Sequence, residues 1–180
     1  MSSLLAFFMM ILYPFVIWWG YGQIEPRFLA GLLLLVGVIR LPVMGATAAG
    51  RWWLAGTLLL SFIAVWGNHS LPLKLYPVLV NAAMLGVFTY SLFVPPSIVE
   101  RLARMREPDL SAQSIGYTRR VTQVWCIFFA GNGALALVTA LWASAATWSL
   151  YNGIIAYLLM GLLFASEYRI RCNFKRRLDV

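Results

Sequence analysis

The sequence predicts an all-α integral membrane bundle of six transmembrane helices, with a short amphipathic surface helix between helices four and five. Three observations lead there. The 180 residues are 62% hydrophobic and 11% charged, against about 45–50% and about 25% in an ordinary soluble domain. Six apolar segments each come near the roughly 20 helical residues that cross a hydrocarbon core. The Lys and Arg residues gather on one side of the layout that those segments define. Too little polar surface is available to cover such a chain in water, so it needs lipid as solvent. The length suits one transmembrane helical domain, 1–180.

Taken in order, the first span covers 3–20, with Pro14 and the Trp18-Trp19 pair near its outer end. No cleavage-like segment follows it, so it reads as a retained span. The second covers 28–44 and carries Arg40 and Pro42 in its last turn. The third, 52–66, is short, and a tilted or partly re-entrant pair with the second remains open. The fourth covers 75–94 and is closed by Pro95-Pro96. The fifth covers 121–143 and the sixth 148–168. These runs are apolar on all faces and lack the period-2 alternation of barrel strands.

With both ends in the cytoplasm, twelve of the fourteen Lys and Arg residues lie inside, and only Arg27 and Lys74 outside. The opposite orientation reverses that ratio and violates the positive-inside rule. The expected location is the inner membrane of a bacterium. Tryptophans 18, 19, 52, 53, 66, 142 and 148 fall near span ends, as an interfacial belt requires.

The one sizeable polar segment is the cytoplasmic loop 95–120; a basic cytoplasmic tail, 169–180, follows the sixth span. In the loop, Ser97 is placed to cap a helix, with Glu100 three residues later completing a capping box. Ile98, Val99, Leu102 and Met105 recur at helical spacing, and Arg101 and Arg104 take the other flank. The pattern predicts a surface helix on the inner leaflet. Its arginines snorkel to lipid phosphates or, with Arg119, form a docking face for an acidic partner or a phosphate-bearing substrate, and the two roles are compatible.

Polar side chains at membrane depth need a partner or a task. Asn81, Asn132 and Asn152 fall within or at the ends of spans, and interhelical hydrogen bonding is the plain expectation for each. Arg40 and Glu167 lie near inner span ends and are placed to pair. Two small-residue stripes stand out: Ser149, Gly153, Gly161 and Ala165 on the sixth span, and Asn132, Ala136, Ala140 and Ser144 on the fifth. They predict that these two spans pack as a tight hairpin.

Catalytic motifs do not emerge. His69 is the one histidine, and no zincin, nucleophile-elbow or phosphate-loop pattern occurs. Cys126 and Cys172 have no metal-ligand spacing. No cofactor, metal site or nucleic-acid partner is expected, and the balance leans against an enzyme.

The second half carries separated motifs: Lys74-Leu-Tyr-Pro-Val-Leu-Val-Asn81, Pro96-Ser-Ile-Val-Glu-Arg101 and Glu107-Pro-Asp-Leu110, then Tyr117-Thr-Arg119, Trp125-Cys-Ile-Phe-Phe129 with Asn132, and Leu150-Tyr-Asn-Gly153 through Glu167-Tyr168. Over roughly residues 72–171 this string resembles a family of small bacterial inner-membrane proteins found with aryl polyene (xanthomonadin-type) biosynthesis genes. A fainter architectural likeness extends to septation protein A. The first resemblance implies an accessory protein that scaffolds or hands over a lipid or aryl polyene product made on an acyl carrier protein. Membrane lipids, and an acyl carrier protein or other pathway enzyme at the basic inner face, are the implied partners. The residues to watch are Asn81, Arg101, Arg104, Tyr117, Arg119, Asn132, Tyr151, Asn152 and Glu167. The competing readings are a lipid transporter or flippase subunit, a membrane-embedded acyl- or glycosyl-transfer enzyme built on Arg119, Asn132 and Tyr151, and an envelope-organising protein. A lateral opening favours lipid handling, a closed bundle favours a scaffold, and a pocket of convergent basic and hydroxyl groups favours an enzyme.

Overall fold

The computed structural model describes residues 12–20, 23–25, 28–31, 33–35, 48–67, 70–105 and 107–178, with side chains except at 48–53 and 173–178. The described residues are helical or in turns, with no strand among them. The elements are α1 (12–20), α2 (28–31 and 33–35), α3 (Ala48–Gly67), α4 (Leu71–Lys74), α5 (Tyr76–Phe93), α6 (Ile98–Arg104), α7 (Ala112–Trp142) and α8 (Ala145–Leu150), then a π-helical turn (Tyr151–Ile155) that runs into α9 (Ala156–Leu178). Among the described residues three stretches are long and apolar enough to cross a membrane, Tyr76–Phe93, Ala112–Trp142 and Ala145–Cys172, and Leu54–Gly67 is a shorter apolar helix. Large apolar side chains cover the outside, with Phe93, Ile127 and Leu162 each more than 60% exposed. In water such a surface would be a severe liability; against lipid it is the expected solvent face.

Helix ends follow local chemistry. Ser97, Ser111 and Ser144 cap α6, α7 and α8, their hydroxyls accepting from the backbone N–H of Glu100, Ser114 and Thr147. Each satisfies a donor that a helix start leaves unpaired. The Ser111 cap starts α7 at Ala112, nine residues earlier than the span read from the sequence. Polar residues 112–120 extend the helix out of the apolar zone, so the loop 95–120 is shorter than expected. The basic tail is likewise helical as far as Leu178. Within α6 the capping box is half made. Glu100 does not turn back to Ser97; its carboxylate accepts from Arg104 Nε and Nη2 at 2.9 and 2.8 Å.

The centre of the fold is α5 packed along α7, the most extensive helix pairing among the described residues. Gly133 permits it: a Cβ there would stand 3.1 Å from the Asn81 Cβ. α3 also packs on α5, and its Thr57, Ser61 and Ala64 are buried, a small-residue stripe of the kind that lets helices approach closely. The expected tight hairpin of the last two spans is not formed along its length. Asn132, Ala136 and Ala140 are buried, but α5 is the main partner of α7, and the α7 and α9 backbones hardly approach each other. The stripe on the last helix divides. Ser149 is buried and Gly153 lies under the Phe15 ring of α1, whereas Gly161 meets no neighbour. Large rings, not small residues, span the gap between α7 and α9, with Trp125 and Phe164 4.5 Å apart between centroids.

The tryptophans expected near span ends divide. Trp18, Trp19, Trp66 and Trp142 are outward-facing, but Trp148 is fully buried, and its indole N–H donates to Lys74 O at 3.1 Å. Side chains at 52 and 53 lie outside the described residues, as do Arg40, Pro42 and His69.

Candidate functional site

Two neighbouring spaces organise the polar and aromatic residues. The first is a small chamber of about 70 Å³, lined by Tyr13, Pro14, Tyr76, Pro77, Val80, Asn81, Asn132, Asn152, Ala156, Tyr157 and Met160. Three helix irregularities meet around it. Pro14 sits in α1, Pro77 sits in the first turn of α5, and the π turn surrounds Asn152. The π turn departs from the regular α-helical ladder, and Pro77 falls where α4 gives way to α5. Proline has no N–H for the carbonyl four residues back, and π turns concentrate where helices are adapted to a task. The carbonyl that Pro77 cannot satisfy, Leu73 O, takes the Tyr13 hydroxyl at 2.8 Å.

The amides form a relay across helices. Asn81 Nδ2 donates to Pro77 O at 2.8 Å within α5. Asn132 Nδ2 on α7 donates to Asn81 Oδ1 at 3.0 Å. The Tyr151 hydroxyl donates to Asn132 Oδ1 at 2.8 Å. Three elements that pack through side chains are thereby held in register, since an unmade hydrogen bond at this depth is costly. Asn152 stands apart. Its Nδ2 donates to Trp148 O at 2.9 Å and Thr139 Oγ1 at 3.2 Å. The interhelical role expected of the asparagines is what the geometry places here, including the direct Asn81–Asn132 pair.

The second space is a groove of about 710 Å³ between α5, α6, α7 and α9. Its walls are apolar: Met84 and Phe88 from α5, Val121, Trp125 and Phe129 from α7, Met160 and Phe164 from α9, and Val99, Leu102 and Met105 from α6. Phe88 and Phe129 meet edge to face at 5.1 Å, and Trp125 touches both Phe129 and Phe164. Such offset ring contacts are favourable beyond their buried area. Glu167 and Arg171 stand one turn apart at one end. There the Tyr117 hydroxyl bridges α7 to α9, 3.4 Å from both Glu167 O and Glu167 Oε1. Glu167 therefore has Tyr117 as a partner. The expected pairing with Arg40 lies outside the described residues.

α6 roofs that same end in an unexpected pose. It faces the bundle with Ser97, Glu100 and Ala103, which are buried, and leaves Leu102 and Met105 largely exposed, Met105 by 82%. Its position is pinned by Ile98 N donating to Ser91 Oγ at 3.0 Å. Leu102 and Met105 thus point to the groove mouth and outward, while Val99 packs against the core around Trp125. Two of the three arginines expected to form a docking face are engaged locally. Arg101 Nε donates to Pro96 O, and Arg104 binds Glu100 and Pro108 O. Arg119 is exposed and lies about 20 Å along α7 from Asn132 at 1.5 Å per residue. The structure therefore does not gather Arg119, Asn132 and Tyr151 into one transfer site.

Sequence reasoning named Asn81, Asn132, Tyr151, Asn152, Tyr117 and Glu167, and the structure joins them into two linked sites. It missed Tyr13, Thr139, Phe88 and Phe164. Only the dense aromatic spacing around Trp125-Cys126-Ile127-Phe128-Phe129 hinted at the groove. Among the described residues no cluster of His, Cys, Asp or Glu could hold a metal. The chain matches no family model, no curated protein and no solved structure.

Proposed function

We propose that the chain is a six-span bacterial inner-membrane protein with both termini in the cytoplasm, and that it holds the apolar chain of a lipid or aryl polyene product and hands it over to the bilayer. The observation that carries this reading is the aromatic-walled groove of about 710 Å³. That is within the roughly 300–1,000 Å³ of small-molecule sites. A closed bundle serving as a scaffold would fill this space with side chains. Here the α7 and α9 backbones stand apart and rings line the gap without closing it. The charged end at Glu167 and Arg171 adjoins α6 and the basic loop, on the side that the positive-inside rule assigns to the cytoplasm. A headgroup or carrier-linked end would sit there, with the chain running inward along Trp125, Phe129 and Phe164. Among the described residues the mixed polar end offers no constellation of nucleophile, base and oxyanion donors, so handing over is favoured above chemistry.

Deletion of the gene in its host, followed by solvent extraction of separated inner and outer membranes and mass spectrometry, tests the reading. A lipid or polyene ester that is missing, or held back in the inner membrane, is the expected result. An unchanged lipid profile with altered cell shape or division would overturn it in favour of an envelope-organising role.

A further inference from the structure

The groove and the polar chamber share a wall residue, Met160. An occupant of the groove that runs inward from Glu167 therefore ends beside the chamber. Along the last helix, Glu167 to Asn152 is roughly 22 Å at 1.5 Å per residue, which suits an extended long acyl chain.

The chamber is not a passive void. An amide offers two donors and two acceptor positions. Both protons of Asn152 are directed at Trp148 O and Thr139 Oγ1, which fixes the amide's orientation and turns Oδ1 away from them. Asn152 Oδ1 has no partner among the described residues, although the residue is only 5% exposed. Asn132 uses one N–H on Asn81 and its oxygen on Tyr151, and its second N–H has no partner among the described residues. Among the described residues no charged side chain lines the space, so an ionised group would have no counter-charge there. An acceptor and a donor with no partner among the described residues, on two amides that line one space, match a hydroxyl, which donates and accepts at once.

We propose that the chamber is a binding site for a hydroxyl at the far end of the chain that fills the groove, so that the protein prefers chain molecules hydroxylated at the terminus opposite their headgroup. The proposal rests on the groove reading. Met160, an unbranched and adaptable side chain, is the partition the chain end passes.

The test uses the full chain in lipid nanodiscs and measures the affinities of palmitate and ω-hydroxypalmitate by competition against radiolabelled palmitate. The expected result is that ω-hydroxypalmitate binds roughly tenfold more tightly, the worth of one buried hydrogen bond. ω-Methoxypalmitate, which cannot donate to Asn152 Oδ1, should lose that advantage, and Asn152→Leu should bring the ratio of the two acids to about one. Equal affinities for the acid and its hydroxylated form, or a preference that survives both the ether and the variant, would overturn the chamber while leaving the groove in place. Failure of every probe to bind would remove the groove reading, and this proposal with it.

Discussion

Asn132 ties α7 to both α5 and the π turn through side-chain hydrogen bonds, and the structure sets what they are worth. Replacement by alanine removes two contacts, the 3.0 Å bond to Asn81 Oδ1 and the 2.8 Å bond from the Tyr151 hydroxyl. Interhelical hydrogen bonds in membranes are worth about 0.6 kcal/mol on average and up to roughly 1.7 kcal/mol. Two of them give a loss of about 1–3 kcal/mol. The upper part of that range applies if Asn81 Oδ1 and the Tyr151 hydroxyl are left unpaired, at about 1–3 kcal/mol for each stranded group. The adjoining chamber admits water, which needs only about 10–15 Å³, so the stranded groups are rehydrated and the expected loss is about 2 kcal/mol. The pairwise part is isolated by a double-mutant cycle of Asn81→Ala and Asn132→Ala, read from reversible unfolding in mixed detergent micelles. The expected coupling is about 0.6–1.5 kcal/mol. A coupling indistinguishable from zero would refute the argument that this amide pair holds α5 to α7, and the proximity would then be a consequence of packing alone.

Two further predictions concern packing and the roof of the groove. Gly133→Ala places a Cβ 3.1 Å from the Asn81 Cβ and should destabilise the fold by about 1 kcal/mol, the low end of overpacking. Gly131→Ala meets nothing within 4 Å and should be neutral or slightly stabilising through helix propensity; equal effects in the same unfolding assay would contradict the α5–α7 arrangement. Glu100→Gln removes the charge that accepts from Arg104 at 2.8 Å. With Arg104 39% exposed on its side chain, the loss is about 1 kcal/mol after screening by solvent. It should appear as faster proteolysis between α6 and α7, and unchanged cleavage would mean that α6 is held by its Ser91 and Ser97 contacts instead.

The sites were only partly legible in the sequence, for reasons that differ by residue. Asn81, Asn132 and Asn152 stood out because an amide in an apolar run is costly, and each proved to be hydrogen-bonded. Phe88 and Phe164 were invisible as a pair, since phenylalanines in a lipid-facing helix look like phenylalanines lining a groove. Trp148 was misread as interfacial because its place near a span end is what a belt residue shows. Its burial comes from Lys74 O, an acceptor 74 positions away in the chain. The small-residue stripes predicted close packing correctly for α7 but named the wrong partner, because a stripe specifies a face and not what covers it.

What the amino-acid sequence determined alone was whatever depends on composition and on neighbours within a few residues. That includes the helical, lipid-requiring character of the chain, the serine caps, and the ends imposed by proline. Apolar content, side-chain periodicity and short-range hydrogen bonding are local properties, and they act before any helix has met another. The tertiary structure decided which helix lies against which, that α7 and α9 diverge, and that Met160 stands between an apolar groove and a polar chamber. Those outcomes depend on how rings and glycines from distant segments compete for the same space. In a bilayer, where all helix faces are comparably apolar, shape and a few amide pairs settle that competition, and hydropathy does not.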